Sequence, residues 1–323
     1  MLVLLFFVNV LSKQLVRMNS SNSIEQSICV IIVSYNFESW IDRCIPSIQA
    51  STLPATILIV DNASQDRTCE IIRNRYPEVV LFENRENLGF GKANNIGMRY
   101  ALEKGFDYVF LLNQDAWLEQ NALEKLVNAA YRHPEFGILS PVHFNGNGSA
   151  LDFGFATYTG LKNPKDIELF PSEIEEFPFI NAAMWLIPKE VIEKVGGFAP
   201  IFAHYGEDRN LAQRIRKNGY KIGVVKSAAG FHDREARPVN QEKFLYSEYV
   251  YFLTEAVNPF YSLTKAFAYS VLAAYKKAVK SWASREIIES REYIRIVFRL
   301  IGKTPAIFRT RKETIKNQSS CYL

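Results

Sequence analysis

The chain has 323 residues, 48% apolar and 22% charged, a balance that suits one large α/β domain or two modest ones and excludes a disordered chain, a collagen-like repeat and a polytopic membrane protein. Its net charge of +4 is uneven: residues 261–323 hold 13 Lys/Arg against 4 Asp/Glu, a net of +9, so the first 260 carry −5 by difference. An acidic body with a basic tail is not the profile of a duplex-DNA binder, so no nucleic-acid partner is expected; it suits a protein resting on an anionic surface by one end.

The opening MLVLLFFVNVL is apolar over 11 residues, short of the ~20 a membrane-spanning helix needs, and it has neither a basic leader nor an A-x-A site. Met18 is a candidate start, and residues 1–26 are expected to form a poorly ordered extension. ICVIIVS at 28–34 is a continuous β-branched run, the pattern of a strand buried on both faces. Helical spacing of Trp40, Ile41, Cys44, Ile45 and Ile48 predicts a helix over 38–49. Strands follow at 56–61, 79–84, 107–113 and 137–141, with helices at 66–75, 92–104 and 118–132 between them. Strands alternating with helices imply a parallel sheet covered on both faces.

The second half is less regular. Residues 149–179 mix Gly, Pro and acidic residues and read as loops or a hairpin. INAAMWLI at 180–187 is strand-like, 189–195 is a short helix stopped by Gly196-Gly197, 207–218 is a helix ended by Gly219, and KIGVV is a strand. Beyond Pro259 the pattern turns helical, basic and aromatic. The expected organisation is an α/β domain over 27–240, in two halves (27–142 and 143–240), followed by a basic amphipathic helical tail over 241–323. Cys29, Cys44, Cys69 and Cys321 show no C-x-x-C spacing, so a reducing compartment is expected.

In open α/β sheets ligands bind at the carboxyl ends of strands. Three such ends are polar here: Ser34-Tyr35-Asn36, Asp61-Asn62-Ala63-Ser64 and Asn113-Gln114-Asp115. A ring and an acid on neighbouring ends can clamp a nucleobase or ribose, and an Asp one loop away can hold a divalent cation on a diphosphate. Each alone is as well explained by turns and helix caps. NLGFGKANN at 87–95 offers backbone N–H groups to phosphate at a helix start, with Arg85, Lys92, Asn94 and Asn95 as diphosphate candidates; a plain strand-to-helix turn is the competing reading. It is no dinucleotide fingerprint, because position 94 is Asn, not Gly. The densest polar cluster is AHYGEDRNLAQR at 203–214, where Glu207 and Asp208 open a helix whose dipole favours an ionised acid, near an apolar strand carrying Trp185. Such an acid suits general-base work on a hydroxyl. His232 follows the last strand of the core, with Arg234 and Arg237 beside it.

VIIVSYN, IVDNASQDRT, ENLGFGKANNIGM, YVFLLNQDA, NAAMWLIPKEVIEKVGGF and YGEDRNLAQRIRKNGYKIG, in this order and spacing over 28–232, resemble family-2 glycosyltransferases of the GT-A fold, specifically their bacterial rhamnosyltransferase-like branch. The resemblance implies an α/β fold with a mostly parallel sheet flanked by helices and a C-terminal helical extension. It implies transfer of rhamnose or another hexose, with inversion, from a dTDP- or UDP-linked nucleotide-diphosphate sugar to a hydroxyl of a glycan or lipid-linked acceptor, at the cytoplasmic face of the membrane in cell-surface polysaccharide synthesis. Matched residue by residue, Tyr35 and Asp61 hold the nucleoside, and Asn113 and Asp115 stand where the family has its D-x-D, with Asp115 and His232 on Mg²⁺ or Mn²⁺. Asp208 matches the catalytic base, with Glu207 beside it and Trp185 and His204 toward the acceptor.

Two positions depart from the family pattern. Asn113 reduces metal ligation to one carboxylate, and Asn210 replaces the second acid of E-D-x-D-L, a position that orders the helix start or meets the acceptor. The rivals are a sugar-nucleotidyltransferase and a non-catalytic sugar-nucleotide-binding scaffold of the same fold. In the tail, Phe267, Tyr269, Leu272, Tyr275, Val279 and Trp282 interleave with Lys265, Lys276, Lys277 and Lys280. That pattern fits a helix lying in a membrane interface, and equally one packed on the catalytic domain or across a homodimer.

Overall fold

The computed structural model describes residues 26–234, 241–315 and 322–323. The extension expected over 1–26 lies outside these residues except for Gln26, as do Arg237 and the boundary at 240.

Strands β1 (Ile28–Ser34), β2 (Thr56–Asp61), β3 (Val80–Glu83) and β4 (Tyr108–Asn113) pair in parallel in the order β3-β2-β1-β4. Ile31 of β1 lies opposite Leu58 on one side and Leu111 on the other. Because side chains alternate across a strand, Val30 and Ile32 enter one core layer and Cys29 and Ile31 the other. Both faces are therefore buried, which is why the run is apolar throughout. The first layer is covered by α1 (Ile41–Gln49) and α4 (Ala122–Arg132), and the second by α3 (Phe90–Lys104), α6 (Lys189–Val195) and α7 (Glu207–Lys217); α2 (Thr68–Arg75) packs beside β3.

Beyond β4 the sheet becomes mixed. β8 (Met184–Pro188) runs antiparallel to β4 and to β6 (Phe136–Asn145), and β9 (Lys221–His232) runs parallel to β6. Two short strands, β5 (Ala116–Leu118) and β7 (Ile174–Glu176), both pair antiparallel with β9. β6 passes through residue 142, so the two halves share one sheet. The stretch read as loops contains a helix, α5 (Phe153–Thr159), capped by the Asp152 side chain, and a 3₁₀ turn at Pro164–Leu169.

The tail is four helices: α8 (Gln241–Ala256), α9 (Leu263–Ala283), α10 (Ile287–Gly302) and α11 (Thr304–Ile315). They form a third core around Tyr249, Phe252, Leu253 and Leu300 that includes Ala199 and Phe202 of the α/β domain. α8 seals the entry to α7: Gly206 sits at φ +85, and a Cβ there would lie 2.7 Å from Val250 Cγ1 and 2.8 Å from Thr254 Oγ1. No described helix is long and apolar enough to cross a membrane.

Candidate active site

The polar strand ends converge on one rim of the sheet, where the strand order reverses between β1 and β4. Asp61, 1% exposed, accepts the hydroxyl of Ser34 at 2.7 Å and the hydroxyl and N–H of Ser64 at 2.5 and 2.9 Å. Asn36 and Ala63 take left-handed conformations, φ 54 and 62, and these turns let Asn36 N–H reach Ser64 Oγ while Gln65 N–H reaches Asn36 Oδ1. Gln114 grips the main chain of Tyr35 from both sides, accepting its N–H at 2.8 Å and donating to its carbonyl at 3.1 Å. The Tyr35 ring itself is left outside, 45% exposed.

Antiparallel pairing of β5 with β9 sets Ala116 opposite His232 and so brings Asp115 to the imidazole. Nε2 of His232 lies 3.2 Å from Asp115 Oδ1 and 3.3 Å from Asn113 Nδ2, while Nδ1 faces Asp152 Oδ2 at 3.3 Å. Burial alone would push the His232 pKa down, but Asp115 and Asp152 outweigh it and raise it to about 9. The donor set suits a divalent cation: one carboxylate oxygen and one imidazole nitrogen converge, and a buried carboxylate behind the ring fixes its orientation as outer-shell partners of metal-bound histidines do. No cluster of three His, Cys, Asp or Glu side chains able to hold a metal occurs among the described residues, so this pair alone does not complete a cation's shell.

α7 starts at Glu207-Asp208. Asp208 is half-buried; burial pushes its carboxyl above the usual range, while the N–H groups of Arg209 (2.7 Å) and Ala182 draw it back. Glu207 is buried, and burial followed by the charge of Asp208 raises its pKa to about 7. Its Oε2 has no hydrogen-bond partner among the described residues. Asn113 N–H donates to Ala183 O at 2.9 Å, so segment 180–183 bridges the Asn113-Gln114-Asp115 turn to Asp208.

Several expected roles change. Trp185 is 0% exposed, facing the second core layer opposite Leu111 of β4, so its ring cannot touch an acceptor; a strand apolar on both faces has no wall to offer. The Gly-rich stretch is spent on packing: a Cβ at Gly89 would lie 2.7 Å from Ala203 O, and one at Gly91 would meet Phe198 and Glu207. Asn94 is 1% exposed and donates to Phe90 O, while Asn95 clamps Phe198 through its N–H and carbonyl. Arg85 and Lys92 are exposed and unpaired with any carboxylate among the described residues. Asn210 is buried and accepts from Arg214 Nε, so it orders the helix and does not meet an acceptor. His204 lies exposed against the Tyr205 ring, its carbonyl accepting from Tyr246 Oη.

Asp152, Tyr158 and Phe179, whose segments carry no motif, also belong to this site, as does Arg209, the variable position of the E-D-x-D-L segment. Tyr158 meets Phe179 edge-on at 4.8 Å, and the Arg209 guanidinium lies over the Phe179 ring at 5.1 Å. The Tyr158 hydroxyl is shifted upward by burial and then by the charge of Asp208, against the opposing charges of Arg209 and Arg234.

A nine-stranded mixed sheet thus carries a polar carboxyl rim, an Asp/His pair and an acid that opens a helix. The model of glycosyl transferase family 2 matches residues 29–196, and the chain belongs to that family; it is a glycosyltransferase. It is 27% identical over 232 residues, 64% of this chain and 75% of the relative, to the N-acetylglucosaminyl-diphospho-decaprenol L-rhamnosyltransferase of Mycobacterium tuberculosis, which supports the rhamnosyltransferase-like branch. Staphylococcus aureus TarS (residues 1–349), solved with UDP, shares the fold at TM-score 0.55 and 15% identity, covering 90% of this chain and 89% of that one. GalNAc-T7, solved with UDP, GalNAc and Mn²⁺, shares it at TM-score 0.54 and 17% identity, covering 74% and 51%.

Proposed function

We propose that the enzyme transfers a hexose, with rhamnose favoured, from a dTDP- or UDP-linked donor to a hydroxyl of a lipid-linked or glycan acceptor in cell-surface polysaccharide synthesis, inverting the anomeric centre. The observation that carries the reading is the placement of Asp208. It is a half-buried carboxylate held by two N–H groups and bridged through Ala182-Ala183 to the Asn113-Gln114-Asp115 turn. The acceptor oxygen forms a bond to the anomeric carbon as the bond from that carbon to the donor's phosphate oxygen breaks. The electron pair leaves on the nucleoside diphosphate, and the acceptor's proton passes to Asp208. One base suffices for a single displacement. A carboxyl made more basic by burial and still held by N–H groups is suited to that transfer.

Tyr35 supplies the exposed ring for the nucleobase, and Asp61, from beneath, fixes the turn that presents it. Asp115 and His232 would hold Mg²⁺ or Mn²⁺, which neutralises charge on the leaving diphosphate. Arg85 and Lys92 stand exposed for the same anion. The name of the mycobacterial relative supports the rhamnose donor and the lipid-diphosphate acceptor, and the UDP and Mn²⁺ in the two solved structures support a nucleotide and a metal. A lipid acceptor fits the tail. Leu272, Tyr275, Val279 and Trp282 are exposed along α9, with Lys265, Lys276 and Lys280 beside them, and the opposite face is buried through Ala266, Ser270, Ala274 and Ala278. This face suits the interface of an anionic membrane.

The test is calorimetry with dTDP, UDP and their sugars, with and without Mn²⁺. Metal-dependent binding of one nucleotide sugar, followed by slow release of its diphosphate, is expected. Failure to bind any nucleotide overturns the reading.

A further inference from the structure

Two arginines of α7 have opposite fates. Arg214 is buried and donates to Val195 O, Gly197 O and Asn210 Oδ1, so its fork serves the fold. Arg209, at the cleft, is seated on the Phe179 ring and makes no ion pair with a carboxylate among the described residues. Elsewhere on this domain the exposed Arg67, Arg73 and Arg75 each reach an acid. Stacking fixes the plane of a guanidinium without using its N–H donors, and a planar fork of that kind matches a phosphate.

The position adjoins the carboxylate read as the base. Arg209 adjoins Asp208 in sequence, and Phe179 opens the 180–183 segment whose Ala182 N–H holds that carboxylate. Asp152, against His232, is at the start of α5, whereas Tyr158 is six residues further on, about 9 Å along the helix. The Tyr158 ring is partly open to solvent, and its hydroxyl feels the charges of both Arg209 and Arg234. The surface beside Asp208 thus carries two aromatic rings and a guanidinium, with the carboxylates of Asp208 and Asp152 also acting on the Tyr158 hydroxyl.

We propose that Arg209, held on Phe179 and bordered by Tyr158, determines acceptor specificity: its guanidinium takes a phosphate of the acceptor beside the hydroxyl that Asp208 deprotonates. This rests on the reading of Asp208 as the base. The probes are a short prenyl-diphosphate-linked N-acetylglucosamine and the uncharged octyl glycoside of the same sugar, each titrated into full-length protein saturated with UDP or dTDP. The charged probe is expected to bind at least about tenfold more tightly to the wild type, as a charge-assisted contact predicts. Arg209→Ala should bring the two probes within about threefold, Arg209→Lys should fall between, and nucleotide affinity should stay unchanged in both. Wild-type protein that binds the two probes alike, or Arg209→Ala protein that keeps the discrimination, overturns the proposal. So does a parallel loss of nucleotide affinity, which would place Arg209 on the donor. Arg209→Lys keeps the stacked cation and controls for folding. Asp208→Asn separates the two readings: normal turnover there removes the base assignment, whereas the probe ratio tests Arg209 alone.

Discussion

The main-chain N–H of Asn113 donates to the carbonyl of Ala183 at 2.9 Å, one residue from the N–H that holds Asp208. The Asn113-Gln114-Asp115 turn and the Asp208 carboxylate, proposed above to serve donor and acceptor, are thereby set from one short segment. In-line displacement needs that fixed spacing, since misplacement of about 1 Å costs on the order of 100-fold in rate.

Asp208→Asn should lower kcat by about 10²–10⁴-fold and leave nucleotide-diphosphate affinity within about twofold. Single-turnover release of the diphosphate, beside calorimetry of binding, checks both halves. Unchanged turnover would remove Asp208 from the reaction.

Asp152→Asn is a subtler substitution. Asparagine still caps α5 by accepting from Phe155 N–H, but it withdraws the negative charge behind His232 Nδ1. Mn²⁺-supported nucleotide binding should weaken by about 10–100-fold, and the melting temperature should fall because a buried ion pair loses one charge. Asp115→Ala should remove the dependence on Mn²⁺ and on its chelation by EDTA; wild-type binding indifferent to EDTA would contradict the metal role.

Glu207 carries a pH signature. Its folded pKa of about 7 lies above the 4.5 of an unperturbed glutamate, so its contribution is fully present below pH 4.5 and is lost as pH rises through 7. Glu207→Gln should therefore be more stable than the wild type at pH 8, by up to about 3 kcal/mol, with the advantage vanishing near pH 4.5. Urea melts at the two pH values measure it, and an advantage equal at both would contradict the account.

Replacing Leu272, Val279 and Trp282 together with serine should abolish co-sedimentation with vesicles containing phosphatidylglycerol while leaving the melting temperature nearly unchanged, because all three face away from the helical core. Retained binding would place the membrane face elsewhere.

The parallel half of the fold was legible because its signal is local: ICVIIVS can only be a strand covered on both faces, and Cys44, Ile45 and Ile48 do fall on the buried side of α1. The direction of β8 was not, since a run of apolar residues reads the same for parallel and antiparallel neighbours. That same unbroken run carried the warning that Trp185 is core. β5 falls almost wholly between the expected strand at 107–113 and helix at 118–132, because three residues carry no period, yet it is the strand that brings Asp115 to His232. Asp152 had a readable sign, an acid before the apolar DFGFAT, which is a helix-cap pattern. Tyr158 and Phe179 had none, and the EDRNL segment does not by itself mark Arg209, because their meeting is made by tertiary packing across three elements.

The contact of Gly206 with Val250 and Thr254, together with the bond from Tyr246 Oη to His204 O, has an evolutionary corollary. The segment aiming Asp208 is moulded on one side by α8 and on the other by Gly89 and Gly91. Exchanging the C-terminal helices between homologues to redirect an enzyme to another surface would carry the geometry of the reacting centre with it. Functional chimeras should therefore have their junction ahead of Ala199, so that residues 199–206 and Gln241–Ala256 are inherited as one block.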